Sequence, residues 1–465
     1  MLFILFLLIL QKITEGYPKI GVSTSAYQIE GAYQSGCKGL SIWDTFSSHS
    51  SNIRDHSNGT IACDHYHHME EDIKIIHELN ITSYRFSLSW TRLLPNGRDY
   101  VCDDGIRFYS RLLDELEKYN ITPFVTIFHW DLPQALEDEY GGWLDPKIID
   151  DFTYYADFIF HTFGHRVKNW MTLNEPYTYC VNAYVNGIFA PGIVEPTQSP
   201  YICGHHMILA HASAYRLYNT RFRSIQQGSI GIALNCDWAF PVKPSDIDAV
   251  QRTIEFRLGW FSDPLLKGQY PQSMRMRLGE RSPGFTPEQT QMVNNSIDFF
   301  ALNHYTSFMV SNSPNQKYDF MHDAEIDYHN VPYRARADST WLYEVPDGIY
   351  HMIRWLGDRY RDFFNGSNLI ISENGVSMHN NFNVTDDAFR IRFLSGYLEK
   401  AILGAEDANI GLSHFFIWSL LDNFEWSSGY TERFGIVYID FNSPLKTRIL
   451  KNSAYWVKNI TSKYH

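Results

Sequence analysis

Nowhere along the chain do Lys and Arg gather into a run that would suit a phosphate backbone, and the formal charge of −13 is spread along its length. That distribution excludes nucleic acid as a partner. After Gly16 there is no apolar stretch long enough to cross a bilayer, no low-complexity tract and no linker, so residues 17–465 read as one domain without a membrane anchor. The six cysteines (Cys37, Cys63, Cys102, Cys180, Cys203, Cys236) contain no CxxC pair. This removes the usual zinc signature and leaves any disulfides as local additions to a fold held by its core. A GxGxxG turn is missing too, and with it the fingerprint of an open doubly wound dinucleotide-binding sheet.

What the sequence has in excess is aromatic surface. Its 30 Tyr, 31 Phe and 12 Trp exceed what packing needs, and Trp and Tyr rings with polar tips suit flat, hydroxylated ligands. The first residues run apolar from Leu2 to Leu10 and then turn polar through Thr14, Glu15 and Gly16. This predicts a signal peptide over 1–16, too short to span a membrane as a helix. Asn-X-Ser/Thr sequons at Asn58, Asn80, Asn120, Asn294, Asn365, Asn383 and Asn459 agree with it. The expectation is a secreted or secretory-lumen, N-glycosylated protein, with Asn80 and Asn120 poor acceptors because each directly precedes a strand-like run.

Eight β-favouring runs recur, each ending in polar or aromatic residues and followed by helical spacing: 20–26, 83–90, 122–130, 169–176, 229–237, 298–305, 368–375 and 412–423. Between them, Tyr66, Met69, Ile73, Ile76 and Leu79 step by three and four, and Phe108, Leu112 and Leu116 follow Asp103 as a candidate N-cap. The alternation favours parallel pairing, and the count predicts an α/β fold made of a single (β/α)8 TIM barrel. Such barrels work at the C-terminal ends of their strands, where Arg85, His129, Trp130, Asn174, Glu175, Asn303, Tyr305, Glu373 and Trp418 fall.

Glu175 and Glu373 end the fourth and seventh runs, so a barrel brings both carboxyl groups into one mouth. Held roughly 5 Å apart, such a pair performs retaining glycoside hydrolysis, with one as nucleophile and the other as acid and then base; a wider gap admits a water and gives inversion. Mutual repulsion in a partly desolvated site raises one pKa and keeps that group protonated as the acid. Arg85 and Tyr305 are the candidate donors that keep Glu373 ionised.

TLNEP (172–176) and ISENG (371–375) resemble the acid/base and nucleophile motifs of the family-one glycoside hydrolases, which include β-glucosidases and lactase-type enzymes. STSAYQIEGA, SIWDTF, YRFSLSW, HWDLPQAL, FFALNHYTS, IWSLLDNFEWSSGY and RFGIVYID extend the likeness from Gly21 to about Asn459. The resemblance implies hydrolysis of terminal β-linked glucose, fucose or galactose from a small-molecule glycoside, with no cofactor and no metal. It also implies a sugar site formed by Gln28, His129, Trp130, Asn174, Asn303, Glu425 and Trp426, with Trp418 beneath the ring and Trp341 walling the leaving-group side. Glu425 argues against a 6-phosphate sugar, because a carboxylate there repels phosphate and FEWSSGYTERFG lacks the lysine-bearing loop of the phospho-specific relatives. Against the family pattern, the segment before strand one is several residues short: Tyr17, Pro18, Lys19 and Ile20 run straight into Gly21.

Three rival readings have signatures of their own. His65, His67 and His68 suggest a metal-dependent barrel hydrolase, but they sit at a helix start with no matching ligand set, which favours a packing or solvated role. A silent sugar-binding or receptor-like member of the fold would have lost a carboxylate, and both are present. A myrosinase-like thioglucosidase needs a cation near the leaving group; 176–192 has none, whereas the loop 308–340 holds Lys317, Arg334 and Arg336. Oligomeric state leaves no signature in the sequence.

Overall fold

The computed structural model describes residues 17–314, 317–366, 368–379 and 384–464; the expected signal peptide 1–16 and the sequon at Asn383 lie outside the described residues. Eight parallel strands close a barrel: β1 (Lys19–Ser23), β2 (Ser83–Ser87), β3 (Thr122–Phe128), β4 (Asn169–Asn174), β5 (Ser229–Asn235), β6 (Phe300–Asn303), β7 (Asn368–Asn374) and β8 (Gly411–Trp418). Each neighbours its sequence successor, and β8 pairs back onto β1 from Lys19↔His414 to Ser23↔Trp418. All eight expected runs are strands, with helices between them. The runs form strands because their faces are buried on both sides, by helices outside and side chains inside.

The barrel interior is packed rather than open. Phe124, Met171, Ala233, Ala301, Ile370 and Phe416, one from each of six strands, fill its floor with Phe299. Gly21 on β1 makes room for this layer, since a Cβ there would stand 2.4 Å from the Phe416 ring. Much of the aromatic excess is core: Trp43, Trp90, Trp143, Trp170 and Trp260 are all fully buried.

The helix His65–Glu78 turns Met69, Ile73 and Ile76 inward, as the spacing predicts. His65 is buried against Asp72 at 2.8 Å, and Asp72 is paired with Arg448 at 2.9 Å, whereas His67 bonds Asp64 near solvent. Among the described residues no group of three or more His, Cys, Asp or Glu is placed to hold a metal. Cys102, not Asp103, holds the N-cap position of the helix Asp103–Lys118 and makes no side-chain cap bond, while Asp103 and Asp104 lie in the first turn. Cys102 is tied to Cys37 by a disulfide, a second disulfide joins Cys180 to Cys203, and Cys63 and Cys236 are free and buried.

The stretch 308–340, read above as a loop, carries strands of its own. Ser307–Asn312 and Ile326–His329 join Trp238–Pro241 in a three-stranded sheet. Among the described residues no helix is long and apolar enough to cross a membrane.

Candidate active site

Both carboxyl groups stand where regular strand geometry breaks. β7 shifts register against β6 between Ile371 and Glu373, and β4 shifts against β5 between Met171 and Asn174. These irregularities re-aim the side chains that follow. Glu175 is left-handed, φ 44° and ψ 59°, at the start of the helix Pro176–Tyr184. A non-glycine residue held there stores about 1–3 kcal/mol of strain, and its N–H is anchored on Ala233 O at 2.8 Å. Trp130 (φ 78°) and Trp426 (φ 48°) share the left-handed region. After Glu373, Gly375 is required by close approach, because a Cβ there would lie 1.8 Å from the Trp418 carbonyl oxygen.

A cavity of about 580 Å³ opens at these strand ends. Of the expected site residues, all but Gln28 and Arg85 line it. Arg85 is fully buried, and its Nη1 donates to Glu373 Oε1 at 2.5 Å and its Nη2 to Asn174 Oδ1 at 2.6 Å. Tyr305 OH donates to Glu373 Oε2 at 2.6 Å. Glu373 is therefore gripped on both oxygens, one by a charge-assisted bond.

Glu175 has the opposite environment. Burial, and then the charge of Glu373, push its carboxyl up to about 8, against the opposing effect of hydrogen bonds from Asn303 and Thr178. Asn303 Nδ2 donates to Glu175 Oε1 at 2.8 Å, and Asn303 Oδ1 accepts from Ser372 Oγ at 2.6 Å. Asn303 thus faces the acid rather than standing free for a ligand. The pair comprises one carboxyl raised enough to keep a proton to give and one whose two oxygens are held by an arginine and a tyrosine. That is the division of labour glycoside cleavage requires.

The polar residues farther round the mouth form a connected set. Asn174 Oδ1 takes donors from Arg85 and, at 3.2 Å, from Asn303, so its amide N–H faces His129 Nε2 at 2.9 Å. Burial, then the nearby Arg85 charge, hold His129 well below the usual imidazole range, so the ring is neutral. His129 stacks on Trp418 and on Trp426, with ring centres 5.8 Å apart in both cases. Glu425 is pushed well above the usual carboxyl range by burial, then by Glu432 and Glu373.

Two residues expected to touch the sugar also bond to protein. Gln28 sits behind Glu425, donating to its Oε2 at 3.2 Å while Gln28 Oε1 accepts from Ser25 Oγ at 2.7 Å. The Trp130 indole N–H donates to Asn174 O at 2.8 Å, so Trp130 presents its ring to the cavity. Trp341 is half-exposed at the rim, edge-on to Tyr305 at 5.8 Å.

Sequence reading missed Arg54, Thr178, Asp237, Arg257 and Glu432, all of which line the cavity. Lys317, Arg334 and Arg336, the cations weighed for sulfate recognition, do not. Asp237 could have been found, because it ends the fifth run. Arg257 could not, because it lies on a helix.

The glycosyl hydrolase family 1 description matches residues 16–465. Beta-glucosidase 42 of Arabidopsis thaliana is 44% identical over 456 residues, covering 94% of this chain and 91% of the relative. Beta-glucosidase 12 of Oryza sativa subsp. indica is 42% identical over 479 residues, with 96% and 92% covered. Among solved structures, the rice Os3BGlu6 beta-glucosidase superposes with a TM-score of 0.92 at 38% identity, covering 95% of this chain and 98% of that one. Aphid myrosinase gives 0.91 at 36% identity, with 96% and 98% covered.

Proposed function

The chain belongs to glycosyl hydrolase family 1 and is a retaining β-glucosidase; within that activity we propose that Glu373 is the nucleophile and Glu175 the acid and then the base. The observation that carries the assignment is the contrast between the two carboxyl groups, Glu373 held by Arg85 and Tyr305 and Glu175 raised to about 8.

In the first step a Glu373 oxygen forms a bond to the anomeric carbon, the bond from that carbon to the leaving oxygen breaks, and the leaving oxygen takes the Glu175 proton. Esterified Glu373 carries no charge. The charge that did most, after burial, to raise Glu175 is then gone, so Glu175 reaches the second step as a carboxylate and takes a proton from water as that water attacks the same carbon. Glu373 departs as the carboxylate its two donors favour. Trp418 and Trp426 supply ring faces for the sugar, and Glu425, braced by Gln28, supplies the polar contact at the far end of the subsite.

We also propose passage through the secretory pathway, supported by the leader-like 1–16 and by exposed sequon asparagines at Asn58, Asn365 and Asn459.

Release of nitrophenol from aryl β-glucoside, β-galactoside and β-fucoside tests the activity and ranks the sugars. Glu373→Gln loses turnover by at least ~10³-fold if Glu373 attacks. A variant that keeps full turnover would overturn the assignment.

A further inference from the structure

Glu432 lines the cavity and takes no part in the two steps, yet its carboxylate gathers donors from three separate segments. Its Oε2 accepts from Ser339 Oγ, and its Oε1 accepts from Ser428 Oγ at 3.2 Å and from the exposed Arg54 Nη1 at 3.4 Å. Each donor belongs to a different part of the mouth. Ser339, two residues before Trp341, is fully buried and tied to the segment that follows Glu373: its N–H donates to Ser377 Oγ at 2.8 Å, and the two hydroxyl oxygens stand 2.7 Å apart. Ser428 closes the single turn Trp426–Ser428, which carries the Trp426 ring. The Arg54 N–H donates to Ser427 O at 2.8 Å, so the third segment rests on the same turn.

Both walls need holding. Trp426 sits in the left-handed region at φ 48°, a state that persists in a non-glycine residue only where its surroundings over-determine it. Trp341 is half-exposed at the rim, where burial fixes a ring only weakly. A carboxylate suits the task, because it only accepts, takes several donors on its two oxygens, and makes stronger bonds than a neutral group. Serine hydroxyls reach Glu432 from either side, so one side chain spans the Trp341 wall and the Trp426 turn. Resting on the β-glucosidase reading, we propose that Glu432 is a positioning residue, a pin that holds Trp341 against the Trp426 turn and so sets how closely the leaving group is held beside the sugar.

The test compares kcat and KM for 4-nitrophenyl β-glucoside and for β-glucosyl fluoride, whose leaving group has no ring to meet Trp341. Full-length wild type is measured beside Glu432→Ala, Glu432→Gln and Ser339→Ala. In Glu432→Ala the nitrophenyl-to-fluoride ratio of kcat/KM falls about 10-fold, the worth of one hydrogen bond to a charged group, and the loss lies in KM. Glu432→Gln loses the charge that helps to raise Glu425 but keeps the pin: its oxygen accepts from Ser428, and its amide N–H donates to Ser339 Oγ, which turns its own proton to Ser377. Its ratio stays within about threefold of wild type. Ser339→Ala breaks the same bond from the other side, gives the same fall, and decides the matter if Glu432→Ala does not fold. In a Trp341→Ala background Glu432→Ala lowers the ratio no further, because the two act through one contact. A ratio unchanged in both alanine variants overturns the proposal. So does a Glu432→Gln as impaired as Glu432→Ala, which would make the charge responsible, and so does full additivity with Trp341→Ala. A wild type inactive on both glucosides would instead strike the β-glucosidase reading itself.

Discussion

Asn303 Nδ2 stands 2.8 Å from Glu175 Oε1 while Asn303 Oδ1 accepts from Ser372, the residue before Glu373. One amide on β6 thus spans the ends of β4 and β7 and fixes Glu175 relative to the strand that bears Glu373. Asn303 donates to the Glu175 carboxyl. Because the bond favours the ionised form, it also holds the Glu175 pKa below where burial alone would set it.

A pH profile reads that bond directly. The basic limb of kcat/KM falls as pH rises through about 8, where the free enzyme loses the Glu175 proton. Asn303→Ala removes an influence that lowers the pKa, so the limb moves to higher pH, by up to about one unit for a single hydrogen bond. An unmoved limb contradicts the role given to Asn303.

The two steps separate when the acid is removed. Glu175→Ala still forms the glycosyl-enzyme from dinitrophenyl β-glucoside, whose leaving group needs no proton, and then stalls because no base activates water. Azide restores turnover and yields β-glucosyl azide, while alkyl glucosides stay slow by about 10²–10⁴-fold. Product analysis by NMR checks both points.

Stability follows the same carboxyl with a definite sign. An ordinary glutamate titrates near 4.5, and Glu175 does so at about 8 in the folded chain. Between those values the unfolded chain releases a proton that the folded chain keeps, so stability falls as pH rises through that window, by up to about 1.4 kcal/mol per pH unit. Glu175→Gln is free of this loss. Its Tm equals that of wild type near pH 4 and exceeds it by a few degrees at pH 8; equal values at both pH would contradict the raised pKa.

Tyr305→Phe tests the second donor on the nucleophile. Burial, then the Glu373 charge, raise the Tyr305 pKa well above the usual phenol range, so it stays a donor across the working pH. Losing its bond to Glu373 Oε2 lowers kcat about 10- to 100-fold with a smaller change in KM. A drop below twofold would remove Tyr305 from the mechanism.

The barrel was legible because each strand is a buried run that stops at polar residues, as Leu369, Ile370 and Ile371 stop at Ser372 and Glu373. The carboxyl pair and its two donors were legible because all four lie on or just past barrel strands. Hydrogen-bond direction was not. Gln28 and Trp130 sit at the expected places, yet their polar ends turn to Glu425 and to the Asn174 carbonyl, choices set by neighbours hundreds or tens of residues away. Arg257 escaped notice because a helix has no strand-end rule. The disulfide pairing was equally silent, since six cysteines without close spacing leave every connectivity open until the fold brings Cys37 to Cys102 and Cys180 to Cys203.

The covalent step is the centre of this account, and trapping tests it most directly. Incubation with 2-deoxy-2-fluoro-β-glucosyl fluoride slows both steps, the second more, and leaves the sugar on its nucleophile. Peptide mass spectrometry then locates the added mass. The account predicts one label per chain, on Glu373 within NLIISENGVS; a label on another residue, or inactivation-free turnover with no adduct, would contradict it.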